Sequence, residues 1–292
     1  RVISYFYSVR MIEKEVEKSN MILMQNFSRE ADNFFSLLKD NVIRAFNDPR
    51  LDYIIKELKS ENAHYFISNT DRIDALGDLT RQLRNIVNFN ENIEGAYIYF
   101  KDSNYVINID GAYSSEVFFD YINHYKGLQE TELEKVFSEK RSMFFMRTLD
   151  LEKRESVMRN VLNSQKVVPV VTSYPFHSSP KAFLVVNIKE NSLKQIITIP
   201  EHNEIHTVIL DKDGVVTSQP SVLNFDLLRL NAETDGVGKG SKVIRVNNTN
   251  MKMSFVKSGI NEWKYISLIN LEVLRRPAQI IKNISILFFL LF

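Results

Sequence analysis

Apolar residues fall at Ile12, Val16, Leu23, Phe27, Ala31, Phe34, Leu38, Val42 and Ala45. Steps of three, four or seven mark one face of an α-helix. Asn47-Asp48-Pro49 stops the pattern, because proline disfavours helix in the residue before it. The predicted helix is about 35 residues or more, about 50 Å at 1.5 Å per residue. That is far longer than an ordinary globular helix. The stripe allows a coiled-coil dimer seam, although Ser19, Asn20 and Glu30 interrupt it. Two shorter helices follow. Pro49 to Lys59 carries Leu51, Ile54, Ile55 and Leu58 at helical spacing, and Asp71 to Phe89 carries Ile73, Leu76, Leu79, Leu83, Ile86 and Val87 behind a Thr70 or Asp71 cap.

After Asn90 the period becomes that of strands. Ile93 to Phe100 and Tyr105 to Ile109 flank the polar turn Lys101-Asp102-Ser103-Asn104. A mixed helical region spans Ser115 to Lys140. Strands are expected again at Met143 to Leu149, Lys166 to Tyr174 and Lys181 to Ile188, the last two joined by the proline-bounded turn Pro175 to Pro180. Glu190 to Ile199 reads as a short helix closed by Pro200. The order then repeats in miniature. A hairpin of Ile205 to Leu210 and Val215 to Ser218 precedes a short helix near Asn224 to Leu230, and three strands follow at Lys242 to Val246, Met251 to Lys257 and Trp263 to Ile269. Each unit is a hairpin, helices, then three strands: an α+β arrangement of antiparallel sheets with helices on one side, twice over.

The chain's 292 residues suit about two domains. Hydrophobic residues at 44% and charged residues at 25% describe a folded chain, not a disordered one. Lys+Arg 37 against Asp+Glu 36 leaves a formal charge of +1, too little for a general grip on nucleic acid. The absence of cysteine excludes thiol catalysis, disulfides and Cys-ligated metals. With 9 glycines the chain has little material for phosphate loops. The end, Ile286-Leu287-Phe288-Phe289-Leu290-Leu291-Phe292, is an apolar run preceded by the interfacial-looking Arg275 to Asn283. Seven residues cannot span a bilayer, which needs about 20, but the run reads as the first part of a membrane helix, with a C-terminal core helix as the competing reading.

Motifs for chemistry are weak. His202 and His206 are four apart, yet they fall between Pro200 and a strand, so no helical face unites them, and no metal site is expected. Asp211-Lys212-Asp213-Gly214 is a turn whose later calcium-ligand positions are Val215, Thr217 and Gln219. Gly236-Val237-Gly238-Lys239-Gly240 precedes a strand where a phosphate loop precedes a helix. With no nucleophile elbow and no paired carboxylates on strands, no catalytic residue and no cofactor are expected. The first sheet instead carries Tyr97 and Tyr99 alternating with Ile98 and Phe100, Arg147 closing an apolar strand, Tyr174 ending another, and Asn187 interrupting Phe183-Leu184-Val185-Val186. A small-molecule pocket is mostly apolar with a few placed polar groups. Tyr97, Tyr99, Arg147, Tyr174 and Asn187 are therefore the candidate ligand-binding residues. The competing reading puts the tyrosines in the core and Arg147 at a solvated strand end.

Four stretches carry a family resemblance: Asn92 to Lys101 with Tyr105-Val106-Ile107, Phe183 to Ile188, Val208 to Val216, and Asn261 to Ile269. With the long helix and the two sheets, the chain resembles the double Cache (tandem PAS-like) ectodomain of bacterial transmembrane receptors, with wording nearest to Gram-positive sensors. The resemblance implies a stalk and helical segment at 1–89, a membrane-distal ligand-binding module at 90–200, a membrane-proximal module at 201–270, and a C-terminal helix entering the membrane at 271–292. It further implies an extracellular, non-enzymatic sensor at the cell membrane that binds a sugar, amino acid or carboxylate. The implied output is an AraC-type regulator, with a histidine kinase or chemoreceptor as the alternative and a membrane-tethered enzyme as a remote one. A homodimer through the N-terminal helix and no nucleic-acid partner for this segment complete the expectation. A sensor of this kind is expected to show an aromatic pocket in the first sheet and none comparable in the second.

Overall fold

The computed structural model describes residues 2–58, 70–156, 159–197, 205–211, 214–218 and 227–273. Helix α1 runs unbroken over Val2–Phe46, with neither glycine nor proline inside it. Its inward face buries Met24, Phe27, Ala31, Phe35, Leu38, Val42, Ala45 and Phe46. Asp48 then starts α2 (Pro49–Leu58), accepting the Arg50 backbone N–H at 2.9 Å, while Pro49 takes a first-turn position where no N–H is required. Helix α3 (Thr70–Asn88) follows. The chain packs as two compact units, Phe35–Ser192 and Arg1–Phe34 with Leu193–Phe292, and α1 supplies residues to both.

The Phe35–Ser192 unit is an antiparallel sheet of β1 (Ile93–Phe100), β2 (Tyr105–Asn108), β3 (Ala112–Ser114), β4 (His124–Lys126), β5 (Phe144–Phe145), β6 (Leu149–Ser156), β7 (Arg159–Tyr174) and β8 (Ala182–Lys189). Their order is β3-β2-β1-β8-β7-β6-β4, with β5 beside β7. Directly paired residues share a face. Tyr97 opposite Val185, Tyr99 opposite Phe183 and Gly95 opposite Asn187 thus define one face, which continues on β7 through Val167 and Val171. Ile98, Leu184, Val186, Val170 and Tyr174 lie on the other, where α3 packs on β1 and β2. The first face is covered by helix α4 (Ser115–Val117), a π-helical turn (Phe118–Ile122) and helix α5 (Glu130–Val136). Helix α6 (Glu190–Ile197) leaves the sheet.

The second unit's sheet has the order β10 (Val215–Ser218), β9 (Ile205–Leu210), β13 (Lys264–Asn270), β12 (Thr249–Lys257), β11 (Lys239–Val246), again antiparallel. Val208, Met253, Phe255, Ile266 and Leu268 pack with Leu230 of α7 (Leu227–Glu233) on one face. The other face meets α1. The Ser267 hydroxyl donates to Asn20 Oδ1 at 3.0 Å, Glu17 pairs with Lys252 at 2.9 Å, and Asp32 accepts from Ser258 Oγ and, at 2.8 Å, from the Gly259 N–H.

Several expectations are revised. The expected strand Met143 to Leu149 shrinks to Phe144–Phe145, and the positive φ of 49° at Met143 sets where it starts. A strand absent from the pattern reading, β6, begins at Leu149, and β7 starts at Arg159 instead of Lys166. This hairpin is polar over most of its length, so no apolar alternation announces it. The Ser115 to Lys140 region holds β4 between its helical turns. His202, the closing Pro200, the Lys212-Asp213 turn and the apolar run Ile286 to Phe292 lie outside the described residues. Among the described residues no helix is long and apolar enough to cross a membrane.

Candidate functional site

Strand alternation on β1 and β8 aims Tyr97, Tyr99, Phe183 and Asn187 at the covering helices. The cover answers with rings. Tyr97 lies 4.8 Å from Phe118, Tyr99 4.6 Å from Phe137, and Phe137 5.2 Å from Phe183, centroid to centroid. These separations fall in the favourable range for aromatic pairs. Phe118 and Phe183 are fully buried, while Phe119 and Tyr113 are partly buried against the cluster.

A chain of hydrogen bonds runs through this apolar cluster. The Tyr97 and Tyr125 hydroxyls are 3.2 Å apart. The Tyr125 hydroxyl donates to Asn187 Oδ1 at 2.7 Å, and Asn187 Nδ2 donates to Asn123 Oδ1 at 3.1 Å. Because Tyr125 gives its proton to Asn187, the Tyr97 hydroxyl is the donor in the first link. All four residues are buried, Asn187 to 1% exposure and Asn123 to 5%. The chain ends on Asn123 Nδ2, which is buried without a hydrogen-bond acceptor. Burial pushes the Tyr97 phenol well above its ordinary value, reinforced by Tyr125, and burial raises the Tyr125 phenol as well. Charged side chains contribute to neither shift. The network is a neutral polar thread in a low-dielectric interior.

The candidate residues separate into groups. Tyr97 and Asn187 come together, bridged by Tyr125. Tyr99 is their half-buried neighbour, its hydroxyl donating to Asn104 Oδ1 at 3.1 Å. Arg147 sits at the exposed edge, 3.4 Å from Glu132. Tyr174 faces the opposite side of the sheet, against Phe46, and its hydroxyl donates to Asp52 at 3.0 Å. Pattern reading missed Tyr125 and Asn123. They stand two residues apart, the period of a strand, inside a stretch whose neighbours read as helical.

The rings of the first sheet's face pack against one another, whereas a cleft of about 180 Å³ lies in the second unit. Arg10, Glu13, Lys14, Glu17, Lys252 and Leu271 line it along with Val243. It is a charged cleft on the surface of α1, and the Lys252 pairing holds the Glu17 carboxyl below its usual value. Among the described residues no three metal-binding side chains cluster, and His206 lies on β9.

No protein-family model matches the chain, and no curated protein does so either. Solved structures do match. The extracellular domain of the putative histidine kinase vpHK1S-Z8 is 10% identical, with a TM-score of 0.57 over 91% of this chain and 98% of that one. The ligand-binding domain of the Pseudomonas aeruginosa PAO1 amino acid chemoreceptor PctB, in complex with L-Arg, is 8% identical, with a TM-score of 0.54 over 88% and 96%. The sensory domain of the Campylobacter jejuni chemoreceptor Tlp3 (CcmL) with isoleucine bound is 12% identical, with a TM-score of 0.51 over 92% and 98%. The chain therefore has the fold of sensory Cache/PAS-like domains: α+β, with a long N-terminal helix and antiparallel sheets.

Proposed function

We propose that the chain is the extracellular ligand-sensing domain of a membrane-anchored signalling receptor, binding a small molecule in the 90–200 module and catalysing no reaction itself. The observation that carries this is the buried Tyr97–Tyr125–Asn187–Asn123 thread inside an aromatic cluster. A fully satisfied polar chain also serves to specify a core, but this one ends on a buried donor without an acceptor, the kind of placed polar group an apolar recognition site offers. The kinase and chemoreceptor neighbours favour an output of that type over an AraC-type regulator. In this reading 201–270 is the membrane-proximal module and 271–292 leads into the membrane. Tyr7, Met11, Ile22 and Leu37, all exposed on α1, support a homodimer through that helix. A ligand acts only through its different affinities for two receptor states. Rearrangement of the aromatic cover is the step that admits one.

A thermal-shift screen of sugars, nucleosides, amino acids and carboxylates tests the reading. A ligand at a hundred times its Kd adds about 2.7 kcal/mol of stability, and Tyr97→Ala should abolish that gain. Melting that is indifferent to every class of small molecule sinks it.

A further inference from the structure

We propose that the ligand of the aromatic face is an uncharged molecule presenting a hydrogen-bond acceptor, such as a nucleoside or a neutral sugar, and that Asn123 Nδ2 is the donor that meets it. This rests on the sensing function proposed above and names the class of ligand.

The first argument is the direction of the hydrogen-bond chain. Tyr97 donates to Tyr125, Tyr125 to Asn187, and Asn187 to Asn123. Every link points the same way, so the free capacity collects at the far end as the N–H bonds of Asn123 Nδ2, which are buried without an acceptor. Hydrogen bonds in such a chain polarise one another and strengthen the terminal donor. A buried, unpartnered donor costs about 1–3 kcal/mol, and a carbonyl, ring nitrogen or hydroxyl oxygen removes that cost.

The second argument is charge. An amino acid carries an ammonium and a carboxylate, and burying either one unpaired costs several kcal/mol. A site for it needs fixed charges of both signs. Among the described residues, the buried polar groups on this face are phenols, carboxamides and the Ser173 hydroxyl, all of them uncharged. Three cations of this unit are held in pairs: Lys153 with Glu94 at 2.8 Å, Arg141 with Glu139 at 2.9 Å, and Arg147 with Glu132. Rings on the same face, Phe119 and Tyr113 among them, are only partly buried and offer flat surfaces for a heterocycle or a sugar ring.

Calorimetric titration of the 292-residue chain tests this with two sets of probes. One holds uridine, inosine and neutral hexoses; the other holds the standard amino acids and dicarboxylates. Binding from the first set is expected, with a Kd that changes less than twofold between about 50 and about 500 mM salt. Asn123→Leu, which has no donor, should weaken it about tenfold, while Asn123→Ser should stay within about threefold. If Asn123→Leu loses cooperative melting, the salt titration of the unsubstituted chain decides alone. Binding confined to the amino acids or dicarboxylates overturns this proposal and leaves the sensing function standing. Failure of both sets to bind counts against both.

Discussion

Asn187 serves two partners at once, accepting from Tyr125 and donating to Asn123. Asn187→Leu would leave the Tyr125 hydroxyl and Asn123 Oδ1 buried without their partner, at about 1–3 kcal/mol each. A loss of about 2–5 kcal/mol is expected from urea midpoints. Arg147→Ala should cost under about 1 kcal/mol, because its exposed pair with Glu132 is screened by water; a loss as large as that of Asn187→Leu would show that the guanidinium is buried and paired in solution. The buried phenols give a pH signature. Tyr97, Tyr125 and Tyr265 are all pushed above the ordinary value of 10.0, burial being the first cause in each. A raised folded-state pKa means that the folded chain holds more protons than the unfolded one above that value. Stability is therefore unaffected by these groups below about pH 10 and falls above it, by up to about 1.4 kcal/mol per pH unit for each tyrosine. Tyr97→Phe and Tyr265→Phe should each flatten that alkaline fall, and an unchanged slope would show that these hydroxyls titrate freely. At this scale Tyr97 and Asn187 were legible in the sequence as polar atoms on apolar strands. Tyr125 and Asn123 were not, because β4 is three residues long and shows no period of its own.

Elements show the same division. The helical stripe of α1 and the alternation of β1, β8, β12 and β13 were readable because each buries one continuous apolar face. The polar β6–β7 hairpin was not, since its pairing rests on backbone hydrogen bonds that any sequence can make. Breaks in a pattern carried information too. Asn20, which interrupts the α1 stripe, is buried to 4% exposure and meets Ser267 of β13. The second polar link, Asp32 to the Ser258-Gly259 turn, lies three helical turns further along. Such links hold a helix in one register, because sliding leaves buried groups unpaired. Asn20 Nδ2 is already without a partner, so this link adds specificity more than stability. Ser267→Ala alone should cost about 1–2 kcal/mol by stranding Asn20 Oδ1. Combined with Asn20→Leu, which removes both amide atoms, most of that loss should return. If the double variant loses the full sum in chemical denaturation, the link is a net stabiliser.

For the molecule as a whole, the two units present opposite chemistry to a small molecule. The Phe35–Ser192 unit has a neutral, aromatic face; the other has a charged cleft between α1 and the β11–β12 strands. Ligand protection in hydrogen exchange separates them, because binding slows the opening of the unit that holds the ligand. At a hundred times Kd, exchange governed by opening of that unit should slow by about a hundredfold. The gain is expected in β1, β7, β8 and the 118–125 segment, where the Tyr97–Tyr125–Asn187–Asn123 thread lies. Strands β9 to β13 belong to the other unit, so they should gain protection only as far as ligand binding is coupled to that unit, and that remainder measures the coupling. Protection that appears first in 251–271, beside Lys252 and Leu271, would instead place the ligand in the charged cleft. That outcome reverses the assignment, because salt would then weaken the binding and substitution at Asn123 would leave it unchanged.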